Sequence, residues 1–337
     1  MARKNKQTSR PDQTRPAEEI SLPTGRVIRN TGSAYVVRLD SDGSAINCRI
    51  KGNFRIKGIR TTNPVAVGDR VVVTTSDADF SLITNILPRK NYIIRRASNL
   101  SKESHILAAN VDLAILVASL RDPATPIIFI DRFLATCEAY GVKAAVVINK
   151  SDLWDDIDRQ LAEGMKTLYS SLGYDFLSVS AATGEGIEAL GILCEGKISL
   201  LAGNSGVGKS SIINALVPHA NLRTGKISDI HHTGMHTTTF SEAIPLPQGG
   251  EIIDIPGVKG FGTIDFRPEE VSHFFPEIFN TGHNCRYADC SHTGEPGCAV
   301  IPAVEQHFIA ESRYASYLNI LDECKTEEGA DKYRKPF

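Results

Sequence analysis

No stretch of the chain approaches the ~18–20 consecutive apolar residues that cross a bilayer, and the N-terminus carries no apolar core of the secretory kind. Membrane-spanning and exported classes are set aside on that ground, and a cytoplasmic protein is expected. A surplus of one charge is also missing. The 37 Lys and Arg against 39 Asp and Glu leave a formal net charge of −2. That excludes a uniformly basic protein but leaves room for local basic patches. No internal repeat is present, so solenoids and propellers are excluded. The seven cysteines are an odd number, and in a chain without a secretory signal they do not read as a disulfide framework.

With 337 residues, two or three domains are expected. Residues 1–20 form a polar segment whose first fifteen residues are basic, with Arg3, Lys4, Lys6, Arg10 and Arg15 against Asp12, and which contains Pro11 and Pro16. It reads as a disordered tail, either a solvated solubility tail or an arm that contacts phosphates. Residues 21–92 carry short β patterns: Val27, Tyr35, Val37 and Leu39, then the Asp42-Gly43 hairpin signal, Ile46 to Ile50, Val71 to Val73, and Ser81 to Leu87. The number and length of these runs suit an OB-type barrel. Residues 93–264 alternate buried strands (Val111 to Ala118, Ala144 to Ile148, Phe176 to Val179, Ile198 to Ala202) with helical segments 127–140, 155–172 and 186–194. That alternation predicts a doubly wound α/β sheet. Residues 265–337 read as helical and irregular.

Gly203-Asn204-Ser205-Gly206-Val207-Gly208-Lys209-Ser210 matches G-x-x-x-x-G-K-[ST], after an apolar strand and before a helix that includes Ser211. The glycines let backbone N–H groups turn toward phosphates at a helix N-terminus. Lys209 is expected on the β- and γ-phosphates, and Ser210 on Mg²⁺. Asn149-Lys150-Ser151-Asp152 ends the strand Ala144 to Ile148 and resembles an N-K-x-D element. A carboxylate at Asp152 accepts from N1 and N2 of guanine, whereas adenine would leave that buried acceptor unpaired. Ser178-Val179-Ser180-Ala181 ends another strand, where Ser180 and Ala181 would meet guanine O6. Asp254-Ile255-Pro256-Gly257 matches D-x-x-G, with Asp254 toward Mg²⁺ and Gly257 toward the γ-phosphate. One hydroxyl of Thr237-Thr238-Thr239, with Thr238 the candidate, would complete the Mg²⁺ shell. The base-reading elements thus precede the phosphate elements, a circular permutation of the usual order that leaves spatial contacts intact.

Near the C-terminus, Cys285-x₄-Cys290-x-His292-x₅-Cys298 supplies three thiolates and one imidazole. This is a full tetrahedral set for one structural Zn²⁺, with no open position for catalysis.

These motifs, with the stretch Gly234 to Thr239 and the segment Cys285 to Val300, resemble the circularly permuted ribosome small-subunit-dependent GTPases of bacteria, the RsgA (YjeQ) family. The resemblance covers nearly the whole chain. It implies an N-terminal OB-fold, a permuted P-loop GTPase and a C-terminal helical zinc-binding domain. It also implies a monomer that binds GTP/GDP with Mg²⁺ and acts late in maturation of the 30S subunit. Contact with 16S rRNA and stimulation of hydrolysis by the small subunit are implied as well. His273 and His283 lie near the cysteines, but the family pattern assigns neither as a ligand.

The position after D-x-x-G, where a Gln orients water in Ras-like enzymes, is Val258. An apolar side chain cannot orient water. His236, in the first-switch region, is therefore the candidate, with Lys209, for a catalytic role. The fourth phosphate-loop position is Gly206 rather than Asn, so no K⁺ requirement is expected. Two other readings stand beside the enzyme: a binding module with nucleotide as a structural ligand, which Val258 in place of glutamine keeps open, and a P-loop ATPase, which Asp152 argues against. Because switch two leads straight into the C-terminal domain, GTP state is expected to set the position of the zinc domain.

Overall fold

The computed structural model describes residues 22–32, 34–50, 64–74, 80–96, 104–220, 241–254 and 266–332. The basic N-terminal segment, the Thr237–Thr239 run with His236, and Gly257 with Val258 lie outside the described residues.

Five short strands form the N-terminal barrel: β1 (Thr24–Asn30), β2 (Tyr35–Leu39), β3 (Ala45–Ile50), β4 (Arg70–Thr74) and β5 (Ser81–Ile86). They pair in the order β1-β2-β3-β5-β4, and β4 returns to β1 to close the ring. Only the β3–β5 pair is parallel, which is the OB-type arrangement. Alternate residues Val27, Tyr35, Val37, Cys48, Val71, Val73 and Ile83 point inward and form the barrel core. The hairpin at Asp42-Gly43 is present. Gly43 adopts φ 72°, and the Asp42 carboxylate accepts from Ser44 N at 3.0 Å.

A ribbon that the sequence pattern did not announce follows, β6 (Tyr92–Arg96) against β7 (Ser104–Ala109). The second domain then runs β8 (Leu113–Ser119), α1 (Ile127–Ala139), β9 (Ala144–Asn149), α2 (Asp156–Ser171), β10 (Asp175–Ser178), α3 (Ile187–Cys194), β11 (Ile198–Ala202), α4 (Lys209–Leu216), β12 (Ser241–Pro245) and β13 (Glu251–Asp254). The sheet order is β10-β9-β8-β11-β13-β12, with every pair parallel except β12–β13. Strands β8, β9 and β11 are buried at every position, as expected for parallel strands covered on both faces. Period-two alternation sends Ala114, Leu116 and Ala118 into one core with Phe133 and Leu134 of α1. It sends Leu113, Ile115 and Val117 into the other, with Leu190 of α3 and Ile213 of α4. Asp155 caps α2 by accepting from Ile157 N and Asp158 N at 2.9 Å each.

Barrel and sheet are one continuous structure. β12 pairs antiparallel with β1, giving an eleven-stranded sheet. Ion pairs across the seam join Arg29 to Glu242, and both Arg26 and Arg38 to Glu251.

The C-terminal lobe contains a 3₁₀ segment (Pro268–Phe274), α5 (Pro276–Gly282), α6 (Val300–Glu305) and α7 (Glu311–Lys332). Its core gathers Val271, Phe275, Ile278, Val300, Tyr317 and Leu321 around Ala135 of α1. Helix α1 therefore serves two cores. Among the described residues, no helix is long and apolar enough to cross a membrane.

Candidate functional site

Because β8, β9, β10, β11 and β13 are parallel, their carboxyl ends lie along one edge of the sheet, where open α/β sheets bind ligands. The motif residues follow those ends: Asn149 closes β9, Ser180 follows β10, Gly203 follows β11, and Asp254 closes β13. The strand that feeds the phosphate loop lies in the interior of this sheet, between β8 and β13.

The phosphate loop is held by its glycines. Gly203, Gly206 and Gly208 take φ values of 144°, 84° and 97°, which L side chains adopt rarely. A Cβ on Gly203 would strike the Val117 carbonyl, and one on Gly208 would strike the Asn149 amide. Val207 is buried as the anchor of the turn, while Ser205 and Gly206 face solvent. Lys209 begins α4 and donates from Nζ to the carbonyls of Gly203 at 2.7 Å and Asn204 at 3.0 Å. Burial lowers the pKa of Lys209 and raises that of Asp254, and in each case the opposite charge of the other resists the shift. An ammonium and a carboxylate facing each other at the head of the phosphate loop suit a phosphate chain on one side and a hard cation on the other. Ser210 and Ser211 follow Lys209 on the first turn of α4.

Asn149 joins three motifs. At 2 % exposure it donates from Nδ2 to Val207 O at 2.8 Å and accepts from Ala181 N at 3.1 Å. It thereby ties the phosphate loop to both base-reading loops. Asp152 accepts from Ser180 Oγ at 2.5 Å, and Ser180 Oγ in turn accepts from Thr183 N at 3.2 Å. Ser151 donates to the Glu185 carboxylate at 2.9 Å. Lys150 sits in the left-handed region with φ 69°, and its ammonium donates to the Asp122 carbonyl. Pro123 packs on the α-carbon side of Gly206. The loop 120–126 after β8 is thus a wall of the site that motif reading missed. The Asp122-Pro123 breaker after a buried strand, at the same sheet edge, was the available signal.

The arrangement assembles Asn149, Lys150, Ser151, Asp152, Ser180, Ala181, Gly203 to Ser211 and Asp254. His236, Thr238 and Gly257 lie outside the described residues. Replacing Asp152 with Asn is expected to cut the preference for GTP over ATP by about 10²-fold, from the lost paired acceptor. A competition titration in which preference is unaltered would remove Asp152 from the base site.

The second centre lies in the C-terminal lobe. The ligand atoms of Cys285, Cys290, His292 and Cys298 all fall within 4.8 Å of one another. His292 Nδ1 is 3.6 Å from Cys285 Sγ and 3.7 Å from Cys298 Sγ, so Nδ1 is the nitrogen turned toward the thiols. The knuckle is braced by hydrogen bonds. Ala299 N donates to Cys285 Sγ at 3.2 Å, Tyr314 OH to His292 O at 2.6 Å, and Tyr317 OH to Ser291 O at 2.7 Å. The Glu295 carboxylate accepts from Ser291 N and Thr293 N at 2.8 Å each and from Gly294 N at 3.1 Å. Burial works against this charge, but the Ser291 hydroxyl, which also donates to the carboxylate, and the backbone N–H groups hold its pKa at about 2. Burial pushes the Cys290 thiol up to about 12 and the His292 imidazole down. Three cysteine sulfurs and one imidazole nitrogen gathered at this distance are a donor set that fits a metal. His273 and His283 are not part of it.

Two lobes meet at a buried ionic cluster that sequence reading did not find. Arg313 of α7, 0 % exposed, donates from Nη1 to Asp131 of α1 at 2.9 Å and from Nε to Glu277 of α5 at 2.6 Å. Asp131 also accepts from Tyr169 OH at 2.9 Å and Ser316 Oγ at 2.6 Å.

Comparison with known proteins identifies the family and the fold. The family model described as RsgA GTPase matches residues 86–264, and that described as RsgA N-terminal domain matches residues 24–83. A small ribosomal subunit biogenesis GTPase RsgA of Porphyromonas gingivalis is 56 % identical over 318 residues, covering 93 % of this chain and 99 % of its own length. One of Bacteroides fragilis is 54 % identical over 313 residues, with the same coverage. Among solved structures, YjeQ from Thermotoga maritima superposes with a TM-score of 0.73 at 36 % identity, covering 90 % of this chain and 98 % of its own. YloQ, a circularly permuted GTPase, superposes with a TM-score of 0.70 at 29 % identity, covering 96 % and 100 %.

Proposed function

The chain belongs to the RsgA GTPase family, and from that premise we propose how its residues carry the family's work. It is a GTP-hydrolysing enzyme of small ribosomal subunit biogenesis. Asp152 and the Ser180-Ala181 backbone read guanine. The N–H groups from Gly203 to Lys209 and the Lys209 ammonium hold the phosphates. Ser210, Asp254 and Thr238 hold Mg²⁺, which would supply charge neutralisation at the β- and γ-oxygens. Gly257 N–H meets the γ-phosphate. The observation that carries this reading is Asn149, one buried side chain bonded to both the phosphate loop and the guanine-reading loop. Two motifs that occur often by chance are thus parts of a single site.

His236 orients the attacking water, since Val258 stands where a glutamine would. The C-terminal cluster holds one Zn²⁺, because three thiols and an imidazole favour a borderline-soft ion in tetrahedral geometry. Removal of that ion by a chelator is expected to lower the stability of the C-terminal lobe and release about one zinc per chain. Metal analysis alongside circular dichroism measures both. Full helicity after zinc loss would make the cluster dispensable.

The partner is the 30S subunit through 16S rRNA, with the barrel, the basic residues 1–15 and the zinc lobe as contact surfaces, and the chain acts as a monomer in the cytoplasm. GTP state is coupled to zinc-lobe position by two routes. One is the segment 255–265 that joins β13 to the lobe. The other is α1, which follows the loop carrying Pro123 at Gly206 and meets Arg313 through Asp131. GTP turnover with and without 30S subunits, with ATP as control, tests the function. Strong stimulation of GTP hydrolysis alone is expected, with His236→Ala sparing GTP binding and lowering the stimulated rate by about 10²–10⁴-fold. Turnover indifferent to 30S would remove the proposed partner, and an unchanged His236→Ala rate would assign the water to another group.

A further inference from the structure

Beside the metal knuckle lies a cavity of about 680 Å³ whose lining includes none of the nucleotide-motif residues. Its lining includes Cys290 and His292 of the cluster. Three rings stand in a row along its wall: His273 from the 3₁₀ segment, Phe279 from α5, and His283 just past the end of α5. The centroid separations are 4.9 Å and 4.8 Å, and both contacts are edge to face. Tyr287 adds a fourth ring, with the Arg286 guanidinium 5.5 Å from its centroid. Folding does not account for these rings by burial, because Phe279 is 37 % and Tyr287 45 % exposed. The charged lining is Lys325 on α7 against Asp289 on the knuckle and Glu269 on the 3₁₀ segment.

Exposed aromatic and imidazole rings beside cations are the surface on which single-stranded RNA bases stack. The rings stand too close together for a base to insert between them, so a base would lie across the row or at its open end. We propose that this cavity takes one unpaired nucleobase of ribosomal RNA. The base stacks on the Phe279 row, its phosphate lies toward Lys325, and its exocyclic amino group donates to Asp289. The last contact selects cytosine over uracil, because uracil presents a carbonyl where cytosine presents the amino group, and a carboxylate accepts only from the latter. The inference rests on the ribosomal reading above and names where the zinc lobe would grip RNA.

The test is fluorescence polarisation of the full metal-loaded chain with labelled cytidine and uridine heptamers. The wild type should bind the cytidine heptamer more tightly. Phe279→Ala should weaken binding by about 5–150-fold, the range for one base–aromatic stack. Asp289→Asn should narrow the preference for cytidine while metal content stays at the wild-type value. Equal binding of both heptamers by Phe279→Ala and wild type overturns the proposal, as does a wild type that binds neither. In the 30S complex, a photoreactive group at position 287 should crosslink to 16S rRNA. Crosslinking to a ribosomal protein instead overturns the proposal in favour of a peptide ligand. A wild type stimulated by 30S, together with an unaffected Phe279→Ala heptamer affinity, rejects the cavity alone. A wild type that 30S does not stimulate rejects the ribosomal reading itself.

Discussion

Arg313→Ala is expected to destabilise the docking of the C-terminal lobe by about 3–5 kcal/mol, because it strands two carboxylates in a dry interior. Arg313 and Asp131 are each 0 % exposed, and Glu277 lies beside them. Burial works against the Arg313 charge, yet the Asp131 and Glu277 carboxylates hold its pKa above the ordinary arginine value. The guanidinium also lies 4.6 Å from the centre of the Phe275 ring, so alanine opens a cavity under that ring as well. The effect is large against a typical total stability of about 5–15 kcal/mol. Arg29→Ala is the control. It breaks a half-exposed pair with Glu242, and pairs of that kind contribute about 0–1 kcal/mol. Denaturant unfolding compares the two, and hydrogen exchange in α1 and α7 localises the loss. An Arg313→Ala midpoint no lower than that of Arg29→Ala would mean that the two cores, and not the ionic cluster, hold the lobes together. A functional consequence follows if α1 carries the nucleotide state. Arg313→Ala should then keep basal GTP turnover while reducing its stimulation by 30S.

Lys209→Ala should lower GTP turnover by at least about 10²–10³-fold, the scale for removing one preorganised electrostatic group from a transition state. The ammonium is the cation of the phosphate loop, and its bonds to Gly203 O and Asn204 O hold it across the loop mouth. Its removal also leaves the half-buried Asp254 without the positive charge that resists the upward shift of its pKa. Mg²⁺ affinity should fall together with turnover. Fluorescent GDP binding at varied Mg²⁺, beside single-turnover hydrolysis, separates the two effects. Lys209→Arg keeps the charge but places a bulkier fork in a tight glycine loop, so it should rescue little. Wild-type turnover in Lys209→Ala would show that the loop does not hold the transferred phosphate.

Much of this was legible in the residues themselves. The phosphate loop, the N-K-x-D element and D-x-x-G each follow an apolar run that can only be a buried strand, so their meaning is local. The Cys285 to Cys298 spacing is local too, spanning a single knuckle. Strand alternation in Val27, Val37, Val71 and Ile83 marked the barrel, although the pattern does not state that β4 returns to β1. That closure depends on pairing between Thr24–Arg26 and Arg70–Val72.

The sequence by itself therefore determined the chemistry. It shows a carboxylate in an N-K-x-D element, a glycine-rich G-K-S loop, a set of three cysteines and a histidine, and the permuted order in which they occur, because each is a short run whose side chains act where the backbone puts them. The tertiary structure alone decided which distant groups meet. Asn149 reaches Val207 across 58 positions and Asp131 reaches Arg313 across 182. β1 extends the sheet of the second domain through β12, and the aromatic row of the C-terminal lobe borders an open cavity. No periodicity encodes such contacts. They arise when parallel strands bring their carboxyl ends to one edge and when one helix, α1, fills two cores at once.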